Sequence, residues 1–495
     1  MTTDHFDVLI VGAGLSGIGA AVHLQGDCPD RSFAILEGRD AIGGTWDLFR
    51  YPGIRSDSDM YTLGYSFKPW NAAKAIADGP SIRSYIREAA SEHDVERHIR
   101  FGHKVKAADW DSTRARWTVT CALADGSTVT LSCNFLFMCS GYYSYDEGHK
   151  PDWPGEADFQ GQIVHPQFWP ETLDHAGEKV VIIGSGATAV TLVPEIARTA
   201  ARVTMLQRSP TWMVSRPASD GIANALRAVL PAKVAYDMVR WKNVTMGMWF
   251  YQQTRKNPDK VRTALLGRLQ KLLPAGYDMA THFTPRYNPW DQRLCLVPDA
   301  DLFDAIKAGK ADIATDTIAR FEADGIRLAS GALLEADIVI AATGLKLQAL
   351  GGMAVSVDGV PQRIADALAY KGMMFSGIPN LAISFGYINA SWTLRSDLIA
   401  GYVGRLLNYM RATGTSIATA TPGADVQPER LAMDLSSGYV QRGADALPRS
   451  GSRAPWMVTA SYKHDRQQLR DGDLGEEMVF SRPEARAPAL AEAAE

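Results

Sequence analysis

The chain has 495 residues, 46% hydrophobic and 21% charged, which is enough for two or three domains around a sizeable core. Its 51 basic and 55 acidic side chains give a net charge of −4, with no long basic run, so a nucleic-acid-binding surface is not indicated. The N-terminus carries no signal-peptide pattern, and no stretch reaches the roughly 18 apolar residues of a bilayer span. A soluble, cytoplasmic protein is expected, and the five cysteines (Cys28, Cys121, Cys133, Cys139, Cys295) lack metal-type pairing and read as buried reduced thiols.

The first apolar run, VLIVGAG at 8–14, is continuous rather than alternating, as in a parallel strand covered on both faces. It leads into Gly12-x-Gly14-x-x-Gly17 and a helical pattern over 15–25. Glycines in that turn let backbone N–H groups approach a pyrophosphate, and the helix N-terminus adds a favourable dipole. Glu37 ends the next strand, where a carboxylate accepts bonds from a ribose hydroxyl. The signature predicts a site for FAD or NAD.

The same unit recurs. VVIIGSG at 180–186 gives Gly184-x-Gly186-x-x-Ala189, followed by a helix over 187–199 and the strand VTMLQR. Here the strand ends in Arg208–Ser209 rather than a carboxylate, the exchange expected for a ribose 2′-phosphate. Two dinucleotide sites of this kind imply a hydride donor and a flavin acceptor, NADPH and FAD.

Residues 217–280 read as amphipathic helices, an inserted helical subdomain, with a membrane-surface contact as a second reading. The α/β reading is therefore two Rossmann-like domains. Residues 1–140 and 345–480 form the FAD-binding domain. Residues 150–343 form the NADP-binding domain, with the helical insertion at about 217–292. The Ala/Glu/Pro-rich segment 481–495 reads as a disordered tail. A flavin disulfide reductase would need paired redox cysteines, and the stretch GGTWDLFRYPGIRSDSD at 43–59 has none.

That stretch and FQGQIVHPQFWP at 159–170 carry a family resemblance. The second contains Phe159, Gly161, His165, Trp169 and Pro170, and the first contains Gly44, Trp46, Tyr51, Pro52, Gly53 and Asp57. Both patterns resemble those of the Baeyer–Villiger monooxygenases, in the branch of the ethionamide-activating enzymes. The resemblance implies a cycle in which NADPH reduces FAD, O2 adds at the flavin C4a, and the peroxyflavin attacks a ketone to give an ester or lactone. Sulfoxidation of thioethers is the implied second activity, and an N/S-oxygenating flavin monooxygenase without ketone activity is the alternative.

By the same resemblance Arg293 is the catalytic cation and Asp57 its partner. Ser16, Glu37, Thr45, Trp46, Asp47, Leu48, Asp57 and Val105 match FAD-contacting positions. Arg55, Ser56, Asp57, the run Gly184, Ser185, Gly186, Ala187, Thr188, Ala189, Val190, and the pair Arg208–Ser209 match NADP-contacting ones. Gln292 stands where many relatives carry Lys, which shifts NADPH selectivity onto Arg208. CSGYYSYDEG at 139–148 and the Ala-Thr-Gly at 342–344 resemble the two interdomain linkers. His165 and Trp169 then read as a hinge between them rather than as chemistry. Trp392 and Trp456 read equally as pocket or core residues.

Overall fold

His5–Val11 is buried from Val8 onward, and this places it inside a sheet rather than at its edge. The computed structural model describes residues 4–433 and 435–483, and two sheets organise them. In the nine-stranded sheet His5–Val11 runs parallel to Phe33–Leu36 on one side and Thr128–Met138 on the other. Beyond Thr128–Met138 the chain turns antiparallel through Arg116–Ala122 and Lys104–Asp111. Trp117, Val119 and Cys121 alternate inward there, each wholly buried, the period-2 pattern of a one-face-covered ribbon. Strands Ala354–Val357 and Leu381–Ile383 return to this sheet from the far end of the chain. Helix Leu15–Asp27 packs against the 22-residue helix Trp392–Thr413 over one face.

The second sheet has five strands, all parallel: Ala311–Thr315, Arg202–Gln207, Lys179–Ile183, Ile338–Ala341 and Gln162–Val164. Helix Ala187–Ile196 buries Val190, Leu192 and Val193 with the sheet's Val180 and Ile182 in one apolar cluster. The chain crosses between the sheets twice, and the two crossings pair with each other: Tyr143–Gly148 lies antiparallel to Leu345–Leu347.

A helical excursion leaves strand Met213–Arg216 and returns at Cys295–Pro298, two strands that pair in parallel. Its helices are Gly221–Val229, Ala232–Lys256, Pro258–Gln270 and Met279–Phe283. The inner face of the longest is bonded to the nine-stranded domain, with Tyr236 Oη donating to Tyr65 O at 3.0 Å and Arg240 Nη1 to Gly64 O at 2.7 Å.

Among the described residues all five cysteines are free and buried, and no helix is long and apolar enough to cross a membrane. The expected tail lies outside the described residues beyond 483. Its first residue, Ser481, is instead held in strand Met478–Ser481 against Ile417–Ala420, because those backbones complete each other's hydrogen bonds.

Candidate active site

The first glycine turn is fixed from behind by a buried carboxylate. Glu37 Oε2 accepts from Ala13 N at 2.7 Å and Oε1 from Arg39 N at 2.9 Å. Burial raises the Glu37 pKa above the usual carboxylate value, and these two backbone donors oppose the shift. Gly12 has φ +105°, and a Cβ there would lie 2.6 Å from Cys139 O, so the position needs glycine twice over. Helix Leu15–Asp27 has no side-chain cap, whereas helices elsewhere are capped by Asp59, Asp78, Asp220 and Asp278. Its first N–H groups are left to a ligand.

Those groups face a cavity of about 470 Å³. Gly12, Gly14, Ser16, Glu37, Thr45, Trp46 and Val105 line it, and so do Arg55, Ser56, Asp57, Ala187, Thr188, His165 and Arg293. Asp47 and Leu48 do not. The Asp47 carboxylate is only 2% exposed and is clasped by Arg39 at 2.6 Å, Arg50 at 2.9 Å and Arg83 at 3.4 Å. This cluster holds the turn that carries Thr45 and Trp46.

Arg293 and Asp57 meet in the cavity wall, Nη2 to Oδ2 at 3.1 Å. Asp57, the nearest charge, raises the guanidinium's pKa further, so the group stays cationic. Asp291, two residues before Arg293, pairs elsewhere, with Arg255 at 2.7 Å. Around the pair stands an aromatic wall. Tyr142 stacks on Trp392 with centroids 5.2 Å apart, and Phe385 lies 5.3 Å from the same indole. Trp392 Nε1 donates to Ser16 Oγ at 2.7 Å, so Ser16 positions the wall from the first helix. Trp392 thus lines the cavity. Trp456 does not: it is fully buried beside Tyr370, and its Nε1 donates to Glu477.

The 44–57 signature lies against the second domain. The Tyr51 hydroxyl, pushed up to about 12 by burial, bonds to Thr188, and Gly53 lies against Thr191 O and Glu195. Arg55 bridges to Asp301 at the head of helix Asp301–Lys307. The second glycine turn is open by contrast. Gly186 has no atom near its missing Cβ, helix Ala187–Ile196 has no side-chain cap, and Arg208 and Ser209 are exposed. Ser185 Oγ is bonded to Thr211 Oγ1 at 2.7 Å, while Ala189 and Val190 are buried in the core behind the turn.

The 159–170 motif splits by role. Phe159 is buried against Phe321, Gly161 lies under Asp337 O, and Trp169 packs on the second-domain core. The His165 ring occupies the space a side chain at Gly148 would need, and its Nδ1 accepts from Gln167 N at 3.2 Å. The bond that ties the motif to the outward crossing comes from the neighbour, Gln167 Nε2 to Ser144 O at 2.9 Å. Burial lowers the His165 pKa, which keeps the ring neutral.

Residues 75–257 match the family described as flavin-binding monooxygenase-like, and 10–77 match an NAD(P)-binding Rossmann-like domain. Over 477 residues the chain is 54% identical to the FAD-containing monooxygenase EthA of Mycobacterium tuberculosis, covering 96% of this chain and 97% of the relative. The chain belongs to the FAD-containing monooxygenases. It is also 49% identical to a probable FAD-binding monooxygenase AlmA from Acinetobacter sp, over 95% of each chain. Among solved structures it resembles an oxidized steroid monooxygenase bound to NADP (TM-score 0.75, 22% identity, 97% of this chain and 100% of that one). It also resembles an open cyclohexanone monooxygenase (TM-score 0.77, 17% identity, with the same coverage). Both likenesses concern the fold.

The monooxygenase cavity fits the flavin nucleotide its family name requires. The uncapped helix faces it, Gly14 keeps it clear of Gly44, and Ser140 Oγ and Gln167 Oε1 are buried in its wall without a protein partner. Sequence reasoning missed three features of this site: the stacking of Tyr142 on Trp392, the approach of Tyr439 to Arg293, and the arginine clasp on Asp47. The aromatic run Tyr142–Tyr143 was visible, but its partners lie some 250–300 residues away, and no local pattern announces them.

Proposed function

We propose that this monooxygenase performs Baeyer–Villiger oxidation. A ketone, O2, NADPH and a proton would give an ester or lactone, NADP⁺ and water, and thioethers would be oxidised to sulfoxides. The observation that carries this reading is the Arg293–Asp57 pair in the wall of the cavity that the first glycine turn opens into. Bound FAD supplies the electron transfer and the activation of O2, with NADPH as the electron source.

The chain's own residues supply the rest. Arg293 places a fixed positive charge where the ketone oxygen gains negative charge, and Asp57 orients the guanidinium. Tyr142, Phe385 and Trp392 form a wall that keeps water from the reacting centre. Arg208, exposed at the strand end, holds the 2′-phosphate of NADPH with Ser209, and Gln292 adds no second charge. His165 and Gln167 steady the crossing between the domains. One fold neighbour is named for a ketone, cyclohexanone, and this supports the substrate class.

The test is a screen of oxygen-dependent NADPH oxidation over linear, cyclic and aryl ketones and thioethers, with products identified by mass spectrometry. Esters from at least one ketone class are expected. Sulfoxides without any ester would favour an N/S-oxygenating monooxygenase instead.

A further inference from the structure

The longest helix of the excursion, Ala232–Lys256, is apolar on both sides. Its inner face buries Ala235, Tyr236 and Val239. Val234, Met238, Trp241 and Trp249 recur along the opposite face, 46%, 48%, 72% and 61% exposed, and at 3.6 residues per turn they form a single stripe. Met246 borders the stripe at 60% exposure, and Ile222 and Val229 on the preceding helix are 58% and 77% exposed. Seven of the thirteen exposed large hydrophobics among the described residues thus fall within 222–249, a cluster rather than the usual scatter.

The charge around this face is the second observation. Residues 221–271 carry ten basic and two acidic side chains in a chain whose net charge is −4. Lys256, which continues the stripe two turns beyond Trp249, and Lys260, Arg268 and Lys271 on the next segment are exposed and make no ion pair among the described residues. A second copy of the chain is a poor cover for this face, because a two-fold interface would set the basic surplus against itself. An anionic bilayer matches both properties. Trp and Met enter the interfacial zone, and lysine stems reach the headgroups.

We propose that the face formed by Ile222, Val229, Val234, Met238, Trp241 and Trp249 docks the enzyme on anionic phospholipid membranes. The stripe lies in the headgroup boundary, and Lys256 and Lys260 contact lipid phosphates. The helix is tied to the cavity region from its other side, where Asn243 Nδ2 donates to Asp59 Oδ1 at 2.9 Å, two residues beyond Asp57.

The experiment is co-sedimentation of the full-length, FAD-loaded enzyme with phosphatidylcholine vesicles made with and without phosphatidylglycerol, at low and high salt. Binding is expected only with phosphatidylglycerol, with release by salt. Trp241→Gln combined with Trp249→Gln should lower the partition coefficient by about tenfold or more. Lys256→Gln with Lys260→Gln should do so by about tenfold while leaving the apolar stripe intact. Flavin content and melting temperature verify that each variant is folded, and the lysine variant keeps the test decisive should the tryptophan variant fail to fold. The proposal is overturned if wild type ignores anionic vesicles or if the folded variants bind as wild type does. It is equally overturned if wild type is a dimer that the tryptophan substitutions convert to monomer.

Discussion

The two glycine turns share one backbone design and differ in what surrounds them. At the first, Ser16 and Gly17 are buried, Glu37 is 6% exposed, and the turn opens into a cavity with Arg293 in its wall. At the second, Gly186 and Ala187 are exposed and the charged residue at the strand end, Arg208, stands in solvent. Both helices lack caps, so both offer N–H groups to phosphate. On the function proposed above, the buried turn would serve the resident flavin nucleotide and the exposed turn the exchangeable NADPH, one turn design put to two uses by its surroundings. Electrons would then pass from the exposed site to the buried one.

The sharpest break in that comparison comes from the buried side. Arg293→Ala should retain flavin yet lower ester formation by ~10²–10³-fold, because one preorganised charge is lost at the reacting centre; product yield per NADPH consumed reads it directly. Glu37→Gln acts on binding rather than on chemistry. An amide cannot accept from both Ala13 N and Arg39 N, so one buried donor is stranded at a cost of about 1–3 kcal/mol. Flavin content after gel filtration and the melting temperature should both fall. Arg208→Ala should leave both of those unchanged and raise the KM for NADPH about tenfold, with little change for NADH. Equal shifts for the two nucleotides would remove the 2′-phosphate role.

The smallest effect concerns the hinge. Burial holds the His165 pKa below its ordinary value of 6.5, so as pH falls the unfolded chain takes up the proton first. The stability His165 contributes is therefore intact above about pH 6.5 and declines below it. His165→Gln should flatten the dependence of melting temperature on pH in that acid window. An unchanged slope would show that the ring is not buried neutral.

The glycine turns were legible in the sequence because their backbone leaves little choice. Gly12 and Gly184, with φ +105° and +138°, sit so close to neighbouring carbonyls that a side chain is excluded. Glu37 and Arg208 could be placed because each ends a strand of fixed length after its turn. The antiparallel strands Lys104–Asp111 and Arg116–Ala122 were missed, although Trp117, Val119 and Cys121 carry the alternation of the second. The pairing of the first with Ala354–Val357 is set by tertiary contact, which no local pattern encodes. The same limit applied at the site. Trp392 and Trp456 look alike as sequence, yet one lines the cavity through its bond to Ser16 and the other fills the core beside Tyr370. The 159–170 motif marked the family well, but the bond that crosses to the linker belongs to Gln167, a position the pattern leaves free.

The central claim is that O2 is split, with one atom inserted beside a ketone carbonyl in the cavity holding Arg293 and Asp57. The direct measurement is turnover of a ketone identified in the screen under isotopically heavy O2, with mass spectrometry of the product, for wild type and Arg293→Ala. The account predicts one heavy oxygen per ester molecule from wild type, and from the variant hydrogen peroxide in place of nearly all the ester, which falls by ~10²–10³-fold. Ester formed by Arg293→Ala at the wild-type yield, or NADPH consumed by wild type with peroxide as the sole product for every ketone, would contradict it.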